Sequence, residues 1–172
     1  MEIDTRILNP GDFILFSGKG FISRGICAFT NSRWSHIAIF TGDGYVIEAT
    51  AAGVEKNLLA PLVIKADHVA IVRIPDLTVE NMERMKDAAY AMLSVGLKYD
   101  FWQLFTLAPY FMLRKIGINA PWLIWDKSGA VSCSALCAQC ASIIPLKFAK
   151  SIKLVAPETI YRSPLVMKIF DK

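Results

Sequence analysis

The sequence predicts an α+β domain in which an antiparallel sheet, or a small barrel, is packed by helices. Three stretches carry that expectation. Trp34 to Phe40, the turn residues Thr41-Gly42-Asp43-Gly44 and Tyr45 to Thr50 read as a β-hairpin. Thr78 to Leu93 opens on an N-cap threonine, places Glu80 and Glu83 early and keeps apolar residues at 82, 85, 89 and 93, the pattern of an amphipathic helix. Val131 to Cys140 reads as a late helix, capped by Ser132 and continued by Ala135, Leu136 and Ala138. At 172 residues the chain is one domain of ordinary size, able to bury a core without disulfides.

The remaining elements follow in order. Asn9-Pro10-Gly11-Asp12 is a turn and Phe13 to Phe16 a short strand. Ser17-Gly18-Lys19-Gly20 interrupts it; the Gly-Lys-Gly lacks the spacing of a phosphate-binding loop and is a plain loop. Phe21 to Phe29 has helical spacing and turns Cys27 into its apolar face. Val54 to Ile64, with Pro61 inside it, matches neither period. His68 to Ile74 is a strand closed by Pro75-Asp76, with His68 at its solvent end as a second candidate base. Gly96 ends the helix of residues 78–93. The apolar run Phe101 to Leu113 is too short to span a bilayer and is followed by Arg114-Lys115, so it is a buried helix or one lying on a membrane surface. Gly117 to Pro121 is a break, Ile152 to Val155 a candidate last strand, and Pro157-Glu158 starts a short helical turn.

Loop length in the hairpin decides what His36 meets. A two-residue Asp43-Gly44 loop sets Ile39 against Glu48 and sends His36 and Glu48 to opposite faces. A three-residue Gly42-Asp43-Gly44 loop sets Ala38 against Glu48 and Thr50 against His36, and the histidine and glutamate become diagonal neighbours on one face. Both registers are open at this point.

Cys133 occupies the first turn of its helix, where unpaired N–H groups and the positive end of the helix dipole favour a thiolate. Cys133, Cys137 and Cys140 also have the spacing of one buried helix face. Their C-x3-C-x2-C order suits neither an iron–sulfur cluster, since little chain follows it, nor tetrahedral zinc, which three cysteines along one helix do not surround. No metal or cofactor is expected.

Composition narrows the partners. Nineteen basic and 15 acidic residues leave a net charge of +4 without a strong block, so no nucleic-acid partner is implied. The chain is 54% hydrophobic with a mean hydropathy of +0.40, yet no stretch qualifies as a transmembrane span. Glu2 and Asp4 precede any apolar run and no secretory signal is visible, so the expectation is a cytoplasmic protein, or one delivered without a signal peptide, with its four thiols reduced.

Gly11-Asp12 before the first strand, Ser35-His36 opening the hairpin, Glu48 on its return strand, Tyr99-Asp100, and Cys133-Ser134 opening a late helix together resemble one family. It is the circularly permuted, papain-like amidases of the NlpC superfamily, the YiiX-like group, in which the histidine strand precedes the nucleophile helix. The likeness runs from about Asn9 to Ser163 and rests on order and spacing. It departs at Ala135, where the family often carries an acidic residue. The resemblance implies a permuted papain-like fold with Cys133 as nucleophile, His36 as base and Glu48 orienting the imidazole, and with Trp34, Ser35, Tyr99 and Ser134 at the substrate. The chemistry agrees: a thiolate attacks an amide or ester carbonyl, an imidazole moves the proton, a carboxylate fixes its tautomer, and the Cys133 N–H faces the oxyanion. The implied substrates are a small peptide, a peptidoglycan-type amide or an amino-acid conjugate. Lipid amides or esters, taken by permuted relatives similar to lecithin:retinol acyltransferase, are the alternative, together with peripheral membrane contact; an idle binding module is the third.

Overall fold

The hairpin of residues 34–50 lies in the middle of the observed sheet. The computed structural model describes residues 3–18, 20–30, 32–99, 113, 116–118 and 130–172. The elements in chain order are β1 (Phe13–Ser17), α1 (Phe21–Thr30), β2 (His36–Gly42), β3 (Tyr45–Thr50), β4 (Gly53–Leu58), α2 (Leu59–Lys65), β5 (His68–Arg73) and α3 (Val79–Val95). There follow β6 (Lys98–Tyr99), β7 (Ala130–Val131), α4 (Cys133–Ser142), α5 (Pro157–Tyr161) and β8 (Met167–Asp171). Six strands form an antiparallel sheet in the order β4-β3-β2-β1-β5-β8. Of the two forms expected this is the open sheet: among the described residues no pairing joins β4 to β8.

Both faces of the sheet are covered, which explains why its inner strands are continuous apolar runs. Phe13, Leu15, Ile37, Ile39, Ile47 and Val72 join residues of α3 and α4 in one buried cluster. The alternate residues Ile14, Phe16, Ala38, Phe40, Val46 and Ile71 join Leu59 and Val63 of α2 in another. α3 is stopped at both ends as its sequence foretells: the Thr78 hydroxyl accepts the Asn81 N–H at 3.2 Å, and Gly96 takes the left-handed conformation with φ +66°.

The hairpin register combines the two alternatives. Ile39 pairs with Ile47 and Phe40 with Val46, but Gly42 pairs with Tyr45, so the loop is the two-residue Asp43-Gly44 and Thr41 is an extra residue in β2. Asp43 and Gly44 both have positive φ, +53° and +77°, the requirement of a tight hairpin turn that matches strand twist. Continuing the ladder past the bulge sets Ala38 against Glu48 and Thr50 against His36, the register that a three-residue loop would have given.

Three segments differ from expectation. Residues 54–64 match no single period because they are an edge strand running directly into a helix, β4 into α2, with Pro61 in the first helical turn, where no intrahelical N–H bond is lost. Ile152–Leu154 is a 3-10 turn rather than a strand, and the last strand is β8, laid along β5. Cys27 is only half-buried, its thiol directed at the Arg33 carbonyl 3.5 Å away. The helix expected over Phe101 to Leu113 lies, Leu113 apart, outside the described residues. No described helix is long and apolar enough to cross a membrane.

The short parallel pair β6–β7 brings Cys133 to the sheet. Lys98 pairs with Ala130 and Tyr99 with Val131, two residues before the cysteine. β6 is held against β4 by the Val54 N–H, which donates to the Leu97 carbonyl at 3.1 Å.

Candidate active site

The N-terminus of α4 is fixed before its chemistry is considered. The Ser132 hydroxyl accepts the Ala135 N–H at 3.3 Å and its carbonyl accepts the first helical bond, from Leu136 at 2.9 Å. Cys133 is therefore the first helical residue, as its sequence context predicts. The next side chain, Ser134, donates to the Val155 carbonyl at 2.6 Å and ties the helix to the segment before α5.

His36 begins β2, and its ring stacks on Phe16, the directly opposed residue of β1, with centroids 6.2 Å apart. Nε2 lies 2.5 Å from Oε2 of Glu48, and the other carboxylate oxygen accepts Nδ2–H of Asn57 at 2.9 Å. With Nε2 donating to Glu48, Nδ1 is the nitrogen left free, and the Cys133 side chain acts on the same ring. Burial works against a charged imidazole here, but the charge and hydrogen bond of Cys133, and then those of Glu48, outweigh it and raise the His36 pKa to about 10. Burial likewise pushes the Glu48 carboxyl up, while the bond and charge of His36 and the Asn57 amide bring it below its ordinary value. The buried glutamate, 3% exposed, is thus an anion with both oxygens occupied. The other thiols are suppressed: burial raises Cys137 well above the ordinary range, pushes Cys140 up to about 12, and raises Cys27, with Glu158 adding to the last.

Cys133, His36 and Glu48 are therefore brought together from α4, β2 and β3. Three residues expected at the substrate are not surface groups. Trp34 is fully buried, its ring 5.2 Å from that of Tyr161. Ser35 accepts from the Ser23 hydroxyl at 2.6 Å and donates to the Phe16 carbonyl at 3.3 Å. Ser134 spends its hydroxyl on Val155. Ser35 and Ser134 are sequence neighbours of site residues, so that alternation and helical rotation turn them into the interior, whereas Trp34 precedes β2 and packs in the core against Tyr161. Tyr99 holds β6 to β7 through its backbone; its side chain lies outside the described residues.

His68, the competing base, is exposed and faces Arg33, whose guanidinium lies 3.1 Å from Nδ1. Asp12 is buried and binds Arg73 through two contacts of 2.7 Å, so the Gly11-Asp12 pair anchors β1 to β5 rather than serving the thiol. Asn57 was not found from the sequence. Reading Ala51-Ala52 as a tight turn would have set Asn57 against Val46, one diagonal step from Glu48.

Residues 8–106 match the family described as permuted papain-like amidase enzymes, YaeF/YiiX, C92 family. The chain is 34% identical over 115 residues to the probable lipoprotein peptidase YaeF of Escherichia coli K12; the match takes in 67% of this chain and 41% of that protein's length. Its fold is similar to the crystal structure of the metalloprotein yiiX from Escherichia coli O157:H7, with a TM-score of 0.71 at 17% identity over 95% of this chain and 97% of that one. Among the described residues here, no group of three or more His, Cys, Asp or Glu side chains is gathered to hold a metal ion.

Proposed function

Because the chain belongs to the permuted papain-like amidase family, we propose that it cleaves an amide bond through a thioester acyl-enzyme on Cys133. The observation that carries this reading is a His36 imidazole held through Nε2 by the buried Glu48 carboxylate, with Cys133 at the start of α4 acting on the same ring.

The thiolate of Cys133 attacks the carbonyl carbon and the C–S bond forms, with the Cys133 backbone N–H at the start of α4 facing the developing oxyanion. His36 gives its Nδ1 proton to the departing nitrogen, the C–N bond breaks, and the amine leaves. Water then attacks the thioester while Nδ1 takes its proton, the C–S bond breaks, and the carboxylic acid is released with the thiolate–imidazolium pair restored. Glu48 holds Nε2–H throughout and stabilises the imidazolium. Peptides, peptidoglycan-type amides and amino-acid conjugates all present such a bond.

Single-turnover reactions with a panel of short peptides and N-acyl amino acids, quenched in acid and read by intact-protein mass spectrometry, test the proposal. The expected product is one acyl group on the Cys133 peptide, absent in Cys133→Ala. Hydrolysis that persists undiminished in Cys133→Ala would overturn it.

A further inference from the structure

The carboxylate that meets the imidazole has a second carboxylate directly across the ladder from it. Glu48 on β3 is directly opposed by Glu55 on β4, and Cβ atoms of such a pair are about 5 Å apart, where like charges repel. Each is held by a different donor. The Thr50 hydroxyl accepts the Ala52 N–H at 3.1 Å, which leaves its hydrogen for Oε2 of Glu55 at 2.5 Å. Asn57, half-exposed on the edge strand and one diagonal step from Glu48, donates to Oε1 of Glu48 at 2.9 Å. Once Oε1 is occupied, Oε2 is the oxygen left for Nε2 of His36.

We propose that Asn57 is a positioning residue of the active site: it orients the Glu48 carboxylate toward His36 and keeps that carboxylate anionic against the repulsion of Glu55 across the ladder. The inference rests on the reading of Cys133 and His36 as the reacting pair. A hydrogen bond to the charged form of a carboxyl favours that form. Loss of the Asn57 donor therefore lets Glu48 take up a proton at higher pH. A neutral Glu48 no longer supports the imidazolium that activates Cys133.

The test needs no substrate: the pH dependence of Cys133 alkylation by iodoacetamide, read by peptide mass, in wild type, Asn57→Leu and the double variant Asn57→Leu/Glu55→Gln. Leucine keeps the branched outline of asparagine and removes the donor without adding charge. In Asn57→Leu the acid limb is expected to move up by about half to one pH unit, so that alkylation slows by up to about tenfold at a pH on the wild-type acid limb and is little changed at neutral pH. Glu55→Gln in that background recovers part of both, because it removes the repulsion that Asn57 offsets. Asn57→Ala is read in the same way should the leucine variant not fold. A profile unmoved in folded Asn57→Leu, while His36→Ala and Glu48→Gln do move it, overturns this inference and leaves the reacting pair standing. A profile indifferent to His36→Ala overturns the pair, and this inference with it.

Discussion

Cys133 differs from the other three cysteines in what surrounds its sulfur: it has a helix N-terminus beneath it and an imidazolium beside it, whereas Cys137 and Cys140 are enclosed in apolar core and Cys27 lies near Glu158. Iodoacetamide at neutral pH is therefore expected to modify Cys133 first, as mapped by peptide mass; faster labelling of any other cysteine sinks the assignment. The base is tested by substitution. His36→Ala should slow amide turnover by about a hundredfold or more, while His68→Ala, which loses only a contact with Arg33 at the surface, should change little. Glu48→Gln keeps the shape and removes the charge that supports the imidazolium, so turnover should fall far more than stability, and an unchanged rate would leave Glu48 an ordinary strand residue. The raised pKa adds a prediction with a definite sign. His36 keeps its proton until the pH passes about 10. Release of the leaving amine needs that proton, whereas alkylation needs only the thiolate. Hydrolysis should thus fall on an alkaline limb near pH 10 where alkylation continues. Coincident alkaline limbs would remove His36 from the acid step.

At the scale of elements, the site depends on one extra residue and one missing side chain. Without Thr41 bulged from β2, the Asp43-Gly44 turn would pair Ile39 with Glu48 and turn the carboxylate away from His36. The missing side chain is at Gly53, which opens β4 at φ +126°; a Cβ there would stand 2.9 Å from the Leu97 carbonyl. That carbonyl belongs to the chain entering β6, β6 pairs with β7, and β7 leads into Cys133. Gly53→Ala therefore combines backbone strain with a collision against a neighbour that cannot rotate away, and is expected to cost about 2 kcal/mol or more. Urea denaturation measures that loss. Since β6 must give way, Cys133 should also be displaced from His36 and alkylate more slowly below the midpoint of unfolding. A stable variant with normal Cys133 reactivity would show that β6 does not set the position of the thiol.

For the molecule as a whole, elements whose signals are local were legible in the sequence: the caps of α3, the start of α4 at Ser132, the strands before Pro75 and around the hairpin. What escaped depends on long-range partners. The shared face of His36 and Glu48 stayed open because turn rules fix loop length and say nothing of a bulge within a strand. β8 carries no strong alternation, since as an edge strand it is half exposed and takes its order from β5. Trp34, Ser35 and Ser134 were expected at the substrate from the resemblance, but Ser35 and Ser134, as immediate neighbours of His36 and Cys133, turn elsewhere, and Trp34 packs in the core ahead of β2. The assembled site in turn affects the stability of the whole fold, with a pH dependence that can be worked out. Glu48 is held below its ordinary value of 4.5, so its contribution is present above that pH and is lost as the pH falls through the lower, folded-state value. His36 is raised from 6.5 to about 10, so its contribution is complete below 6.5 and drains away as the pH rises toward 10, where the folded state keeps a proton the unfolded chain has released. The two windows overlap between pH 4.5 and 6.5. Wild type should exceed the double variant His36→Ala/Glu48→Gln in unfolding free energy by the most in that interval, and the difference should shrink steadily toward pH 10. Urea titrations at about pH 5.5, 8 and 10 measure it, and a difference that grows with pH would mean that His36 is not held as the imidazolium.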